Sequence, residues 1–374
     1  MADFVIKELF TNDIEKELSL IGFDEGYRFA AADKFRYKNF KIYSLTIEQA
    51  NIIKQTALSV GADCGTHREV IRGKVEKSDV IIGGSYSQIK KIAEKLKHQP
   101  FSLKILAEGL ENNLSVKKSK TKLVGVLNVT PDSFSDGGKY TDEKSAQEHL
   151  TRMIQDGADM IDIGAESTRP GAGEVEPDEQ IKRLKPIIKF ITDEKITVPI
   201  SIDTRSSKVA EYVLDNGASI INDVSGFDFD KELPKVAAKY GAGVIIQHSK
   251  GIPETMQKNT EYENLIDEIY FSLKNKVEYA QSLGIRNIII DPGIGFGKSR
   301  EDNFEILNRI EEFYSLNCPV MVGVSRKSLL GVKSNDNDLK DSLSAAISYP
   351  LIQKGVDYLR IHNVKLHKAL LEIN

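Results

Sequence analysis

The chain contains the apolar run LVGVLNV at residues 123–129, and seven runs of similar length and composition follow it. Each run is rich in Val and Ile, and each is followed by a polar loop and by a helix-length segment with apolar residues at three- and four-residue spacing. Eight repeats of strand and helix predict an α/β fold, a (β/α)8 TIM barrel. The other seven runs are MIDIG (160–164), VPISID (198–203), ASIINDV (218–224), GVIIQH (243–248), NIIIDP (287–292), PVMVGVS (319–325) and YLRIH (358–362).

Polar residues occur at the ends of these predicted strands. The strands of such a barrel are buried on both faces and read as continuous apolar runs, whereas polar residues gather at the carboxyl ends, where barrel enzymes have their active sites. A single Asp after a strand is as often the cap of the next helix, but here nearly every run ends in this way. We therefore expect an active site formed by Asn128, Asp162, Asp203, Asn222, His248, Asp291, Ser325, Arg360 and His362.

Composition limits the classes of protein that the chain can belong to. Its 374 residues, 40% of them hydrophobic, suffice for a barrel of about 250 residues and a second small domain. The net charge of −4 argues against nucleic acid as the main partner. No apolar stretch reaches the roughly 18 residues of a membrane span, and the start lacks a signal-peptide pattern. The composition predicts a soluble cytoplasmic protein, and two cysteines provide no disulfide framework.

A polar, Lys-rich stretch, ENNLSVKKSKTK at residues 111–122, is typical of the segments that join domains. We predict a small α/β domain of unknown function at residues 1–115, a linker at 116–121 and the barrel at 122–374. Within the first domain, two strands and two amphipathic helices are indicated by pattern and by capping-box spacing. They are the strands FKIYSL (40–45) and DVIIGGS (79–85), and the helices TIEQANIIKQTALSVG (46–61) and SYSQIKKIAEKLKHQ (85–99).

Two loops after the first two barrel strands are long and polar. NVTPDSFSDGGKY (128–140) exceeds the usual strand-to-helix connection of about 2–6 residues, which favours a lid over an ordinary turn. DIGAESTRPGAGEVEP (162–177) contains Arg169, which could hold a carboxylate by a planar two-point contact. A surface salt bridge remains the alternative for Arg169.

The loop DPGIGFGKS (291–299) resembles a phosphate-binding P-loop only superficially, because Pro292 stands where that motif requires Gly. Its alternating glycines suggest a close approach of the backbone to a flat ligand, with Phe296 adding an aromatic face. After strands 7 and 8, VSRKSLLG (324–331) and RIHNV (360–364) supply cationic side chains at the place where barrels commonly bind phosphate. An anion site is therefore expected there.

Seven motifs, in this order and spacing, closely resemble the dihydropteroate synthase family, the sulfonamide-target enzymes of folate biosynthesis. The resemblance covers residues 122–374. It implies a transferase that joins two small molecules, 6-hydroxymethyl-7,8-dihydropterin diphosphate and p-aminobenzoate, to 7,8-dihydropteroate, releasing pyrophosphate with the assistance of Mg2+, usually as a homodimer. The motifs are VGVLNVTPDSFSDGG, DIGAESTRPG, SIDT, INDVSG, DPGIGFGK, GVSRKS and RIH.

The resemblance also implies a role for individual residues. The pterin pocket comprises Asp203, Asn222, Asp291, Lys327, Phe296 and Gln247. The diphosphate site comprises Asn128, which helps to hold Mg2+, together with Arg360 and His362. The p-aminobenzoate site comprises Thr168, Arg169, Pro170, Phe134, Asp136, Phe296 and Ser325. The catalytic residues are Asn128, Asp203, Lys327, Arg360 and His362.

The chain departs from the family pattern at two places. After strand 5 the usual Met-His-Met is replaced by Gln247, His248 and Ser249, and after strand 8 the usual Asp is Asn363. Two other functions stay open on the sequence. A pterin-binding methyltransferase shares the barrel but has no use for diphosphate anchors, and a non-catalytic pterin-binding paralogue would fail to release pyrophosphate.

Overall fold

The computed structural model describes residues 4–11, 13–115, 120–130, 139–166, 173–251, 260–332 and 336–373. The chain divides into two compact units, residues 1–117 and 118–374. None of the helices in the described ranges has the length and hydropathy of a membrane span.

The N-terminal unit contains a three-stranded antiparallel sheet in the order β1-β3-β2. Both predicted strands and both predicted helices are confirmed, and so are the capping boxes of α3 and α4. The elements are α1 (Ile14–Leu20), α2 (Arg28–Ala32), β1 (Tyr37–Thr46), α3 (Ile47–Leu58), β2 (Asp63–Thr66), β3 (Lys77–Ser85), α4 (Tyr86–Leu96) and α5 (Leu103–Leu114), with a 3-10 helix at Val70–Arg72.

Part of the stretch at residues 111–122, which its composition predicts to join two domains, is helical. Its first four residues form the last turn of α5, which ends at Leu114 and buries Leu110 against the unit's core. Residues 116–119 of the predicted linker lie outside the described residues.

The C-terminal unit is the predicted eight-stranded parallel barrel. Its strand order is β10-β11-β4-β5-β6-β7-β8-β9, and a single bridge between Ile290 and Val320 joins the two outermost strands. The strands are β4 (Lys122–Asn128), β5 (Met160–Gly164), β6 (Ile200–Asp203), β7 (Ile220–Asp223), β8 (Gly243–Gln247), β9 (Ile288–Asp291), β10 (Met321–Gly323) and β11 (Tyr358–Ile361).

Helices surround the sheet and bury their apolar faces against it. The large core cluster lies between strand residues such as Ile161 and Ile202 and helix residues such as Leu184 and Leu273. Burial of such side chains contributes roughly 1.5–3 kcal/mol each. The helices are α6 (Lys139–Gln155), α7 (Pro177–Asp193), α8 (Ser207–Asp215), α9 (Leu233–Lys239), α10 (Leu265–Ser282), α11 (Arg300–Asn308), α12 (Asn337–Lys354) and α13 (Val364–Ile373), with 3-10 helices at Ile310–Leu316 and Ser328–Leu330.

Candidate active site

A layer of polar side chains lies above an apolar floor inside the barrel. Because alternate residues of a strand point to the same face, each residue two positions beyond a floor residue also faces the interior. The floor consists of Val124, Met160, Ile220, Ile245, Ile289 and Met321. The corresponding buried polar residues are Asp162, Asn222, Gln247 and Asp291.

Arg360 of β11 connects two buried carboxylates across this layer. Its Nη2 donates to Asp203 Oδ2 at 2.7 Å. Its Nε lies 2.7 Å from Asp162 Oδ2, an ionic contact that lacks the geometry of a hydrogen bond. Asp162 also accepts from the Ser201 hydroxyl at 2.5 Å and from the Asn222 amide at 3.0 Å. One guanidinium therefore pairs with two acids. Its bond to Asp203 puts a predicted diphosphate residue, Arg360, in direct contact with a predicted pterin residue.

The ionisation of this cluster follows from its burial. Burial alone would lower the pKa of Arg360, but pairing with Asp162 and Asp203 raises it, so the guanidinium stays charged. Burial raises the pKa of Asp203 to about 7, although Arg360 opposes this effect. Asp203 Oδ1 is buried without a hydrogen-bond partner among the described residues. An unsatisfied buried acceptor costs about 1–3 kcal/mol, so this oxygen is suited to receive an N–H from a ligand.

Asp291 and Lys327 lie at the turn that follows β9. Asp291 Oδ1 accepts from the Gly293 amide at 2.7 Å. Lys327 donates to the Ile294 carbonyl at 2.5 Å, and its ammonium lies 4.7 Å from the centroid of the Phe296 ring. Burial lowers the pKa of Lys327 to about 8, against the attraction of Asp291, and burial raises the pKa of Asp291, against the attraction of Lys327.

Ser325 holds His362 at the end of β11. The Ser325 hydroxyl oxygen accepts from the His362 backbone amide at 3.2 Å and lies 2.9 Å from His362 Nδ1. If the hydroxyl hydrogen is donated to Nδ1, the hydrogen of a neutral imidazole lies on Nε2. Ser325 was predicted to border p-aminobenzoate, but within the described residues it contacts a predicted pyrophosphate anchor.

Arg326, one of the cations expected after strand 7, pairs with the carboxylate of Asp341. Its backbone lies in the left-handed region, with φ 57°, and its guanidinium makes two 2.8 Å bonds to Asp341. Asn363 donates to the same carboxylate at 3.3 Å and accepts from the Leu366 amide at the start of α13. The departure at Asn363 is therefore accommodated, since an Asp there would bring a second carboxylate against Asp341.

Glycine is sterically required at two positions in the loop after β9. A Cβ on Gly293 would lie 1.8 Å from the His248 carbonyl oxygen, and one on Gly297 would lie 2.6 Å from the Lys250 carbonyl oxygen. Both residues have φ in the left-handed region, at 75° and 64°. These glycines allow the loop after β9 to pack against the backbone after β8, and the approach of this backbone to a flat ligand stays a prediction.

Sequence reasoning placed Asp162 among the polar residues at strand ends but gave it no specific role, and it did not single out Ser201 or Lys298. Asp162 lies two residues after Met160 in a buried strand, and this alternation is the signal that could have identified it as an interior residue. Gln247, the main departure in the pterin pocket, is 1% exposed and donates to the Val224 carbonyl at 3.4 Å.

The second loop, which the resemblance assigns to p-aminobenzoate, is described only at its two ends. The base of the second loop is fixed by Glu166, which accepts from Arg205 at 3.1 Å and from the Val175 amide at 3.0 Å. Five predicted residues lie outside the described residues, namely Thr168, Arg169, Pro170, Phe134 and Asp136.

Comparisons with known proteins agree with this geometry. The family model for pterin binding enzymes matches residues 124–362. A dihydropteroate synthase from Clostridium beijerinckii is 42% identical over 250 residues, covering 66% of this chain and 90% of the relative. A bifunctional dihydropteroate synthase/dihydropteroate reductase from Helicobacter pylori is 33% identical over 378 residues, covering 99% of this chain and 98% of the relative.

A solved structure of dihydropteroate synthase from Xanthomonas albilineans with 4-aminobenzoic acid has a TM-score of 0.64 at 32% identity, covering 69% of this chain and 93% of that one. A longer relative from Haloferax volcanii, a probable bifunctional folylpolyglutamate synthase/dihydropteroate synthase, is 35% identical over 354 residues, and this chain spans only 41% of its length. All four proteins carry the name dihydropteroate synthase, which disfavours the methyltransferase alternative. The chain belongs to the pterin binding enzyme family and, within it, to the dihydropteroate synthases.

Proposed function

We propose that this chain condenses 6-hydroxymethyl-7,8-dihydropterin diphosphate with p-aminobenzoate, forming 7,8-dihydropteroate and pyrophosphate. The observation that carries the proposal is the buried Asp203, whose Oδ1 lacks a partner among the described residues while its Oδ2 pairs with Arg360. Asp203 Oδ1, which can accept a hydrogen bond from a ring N–H, thus lies beside the Arg360 guanidinium, which can bind an anion. A substrate that joins a pterin ring to a diphosphate has both features.

Recognition of the pterin is assigned to the acids and amide of the polar layer. Asp203 and Asp291 accept from ring N–H and amino groups, Asn222 can both donate and accept, and Lys327 donates to a ring acceptor. Phe296 lies over Lys327 and adds an apolar face. Buried groups of this kind exclude ligands that leave them unpaired, since each unpaired group costs about 1–3 kcal/mol.

Arg360 and His362 are assigned to the departing pyrophosphate. The p-aminobenzoate amine attacks the pterin methylene carbon, the carbon–oxygen bond to the diphosphate breaks, and the amine loses a proton. Negative charge grows on the leaving group, where cationic and N–H donors stabilise it. Removing one such donor typically costs about 2.7–4 kcal/mol. No covalent enzyme intermediate is required.

Mg2+ is proposed as the metal, with Asn128 as its ligand from the protein. Within the described residues no three His, Cys, Asp or Glu side chains are gathered as a metal site. A single amide oxygen suits Mg2+ when substrate phosphates and water supply the other ligands, so Asn128 fits an ion that is carried by the diphosphate. When bound, the ion would neutralise charge on the leaving group.

We further propose a cytoplasmic homodimer, as the family resemblance implies. Cys64 and Cys318 are both free thiols, which agrees with a reducing compartment.

A second activity, reduction of dihydropteroate, is favoured by one observation. The Helicobacter pylori relative named for it covers 99% of this chain, including residues 1–115. The Haloferax volcanii relative, which carries a different name, also matches 87% of the chain. Incubation of full-length protein with dihydropteroate and a reduced nicotinamide or flavin cofactor should give tetrahydropteroate; absence of product with both cofactors would refute this activity.

Pyrophosphate release is expected only when both substrates and Mg2+ are present. Asp291→Asn removes a charged acceptor from the pterin pocket and should abolish turnover, whereas Asp336→Asn, at the cap of α12, should not. Release by the unaltered protein without p-aminobenzoate, or no release at all, would contradict the proposed reaction.

Affinity for the pterin diphosphate should fall as the pH rises above about 8. The pKa of Lys327 is lowered to about 8, so its charged ammonium, with three N–H donors, is present below this pH and is lost above it. Lys327→Arg keeps a positive charge over this range and should remove the fall in affinity above pH 8, and Lys327→Ala should abolish binding. Calorimetric titrations from pH 7 to 9.5 measure the effect; a constant dissociation constant for the unaltered protein would exclude Lys327 as the donor.

Arg360→Lys should weaken pyrophosphate binding by about ten-fold or more while changing the affinity for free 6-hydroxymethylpterin less, because Lys cannot make a forked contact. Lys is preferred to Ala because removing one partner of a buried ion pair costs about 3–5 kcal/mol of folding stability. A loss of affinity in Arg360→Ala would then have two causes, the missing contact and the unfolded fraction of the protein. Arg309→Lys, on the barrel's outer surface, is the control. Equal losses for the two ligands would remove Arg360 from the anion site.

A further inference from the structure

Lys298 is a buried cation to which the proposed reaction assigns no task. Its side chain is 3% exposed. Its ammonium lies 3.0 Å from His248 Nδ1, 3.3 Å from the His248 carbonyl, 3.0 Å from the Gly293 carbonyl and 2.9 Å from the Phe296 carbonyl. An ammonium has three N–H donors, so all of them find acceptors in this cage, although none of the acceptors is a carboxylate.

The cage joins two segments that both border the candidate pterin pocket. His248 follows β8, and Gly293 and Phe296 belong to the turn after β9. The two segments touch backbone to backbone at Gly293 and at Gly297, where even a Cβ would collide with a carbonyl oxygen. Glycine at positions 293 and 297 permits this close backbone contact. The hydrogen bonds of Lys298 then hold the turn after β9 against the segment after β8.

The turn at residues 293–296 orients the groups that are assigned to the pterin. The Gly293 amide donates to Asp291 Oδ1 at 2.7 Å. Lys327 donates to the Ile294 carbonyl of the same turn at 2.5 Å, and its ammonium lies 4.7 Å from the centroid of the Phe296 ring. Displacement of the turn would thus move the acceptor Asp291, the donor Lys327 and the Phe296 ring together.

We propose that Lys298 is a positioning residue for the pterin pocket, which holds the turn at 293–296 in the conformation that aims Asp291 and Lys327 at the ring. The inference rests on the proposed function and adds to it a residue that makes no contact with substrate.

Holding an ammonium in this place is costly, which argues against a purely stabilising role. Burial lowers the pKa of Lys298 to about 7, opposed by the attraction of Asp291, while Lys327 lowers it further. Asp302 and Lys276 act on it more weakly and in opposite directions. Burial and Lys298 together keep the pKa of His248 well below its usual range, so the imidazole is neutral and Nδ1 can accept. Burying a charge is unfavourable unless it is paired and hydrogen-bonded, and the hydrogen bonds of Lys298 go to carbonyls and an imidazole rather than to a carboxylate.

Lys298→Met, which keeps the length of the stem and removes every donor, tests the proposal in the full-length chain. Dissociation constants for 6-hydroxymethylpterin and for pyrophosphate are measured separately by calorimetry. The pterin constant should rise by about ten- to a hundred-fold, as displacement of a positioned group does, while the pyrophosphate constant should not change. Lys298→Gln, which keeps two N–H donors, should recover part of the loss.

Lys250→Met is the matched control, because Lys250 is on the neighbouring segment but its ammonium lies over the Tyr262 ring at 4.1 Å. Both constants should be unaffected by it. Unchanged pterin affinity in Lys298→Met, or equal losses for pterin and pyrophosphate, would overturn the proposal. If Lys298→Met does not fold, the same comparison in Lys298→Gln decides. Failure of the unaltered protein to bind pterin would instead refute the proposed function, and the inference with it.

Discussion

The interior of this barrel depends on one guanidinium that pairs with two buried carboxyl groups. Without Arg360, Asp162 and Asp203 would be like charges in a region of low dielectric constant, where their repulsion and desolvation would oppose folding. With it, the cluster is compatible with a packed barrel and still leaves Asp203 Oδ1 without a partner among the described residues. The same pairing brings the candidate pterin and pyrophosphate sites together, so that stability and ligand recognition depend on the same side chain.

Strand periodicity explains why a site of this kind forms at the mouth of a barrel. Apolar floor residues such as Met160 and Ile289 are followed two positions later by Asp162 and Asp291, so the interior changes from apolar to polar within one layer. The loops then complete the site: Lys327 and the turn at 293–296 approach from one side. Two lysines with lowered pKa values, Lys298 and Lys327, donate to backbone carbonyls of the same turn.

The features that could be predicted from sequence are the local ones. Eight apolar runs identified all eight barrel strands, and cap spacing located α3 and α4. The strand Asp63–Thr66 was missed because four residues, DCGT, show neither alternation nor β-branched enrichment. Long-range partners could not be predicted: no pattern shows that Arg326 pairs with Asp341, that Arg360 lies between two acids, or that glycine at 293 is required by a carbonyl of a separate loop. Motif resemblance supplied candidate ligands of the site, but not the contacts among them.

The most direct test of this account is a crystal structure of the protein with 6-hydroxymethylpterin bound. The account predicts a ring N–H within about 3 Å of Asp203 Oδ1, with Arg360 still in contact with Asp162. A pterin bound elsewhere, or one in the barrel mouth that leaves this oxygen without a partner, would contradict it.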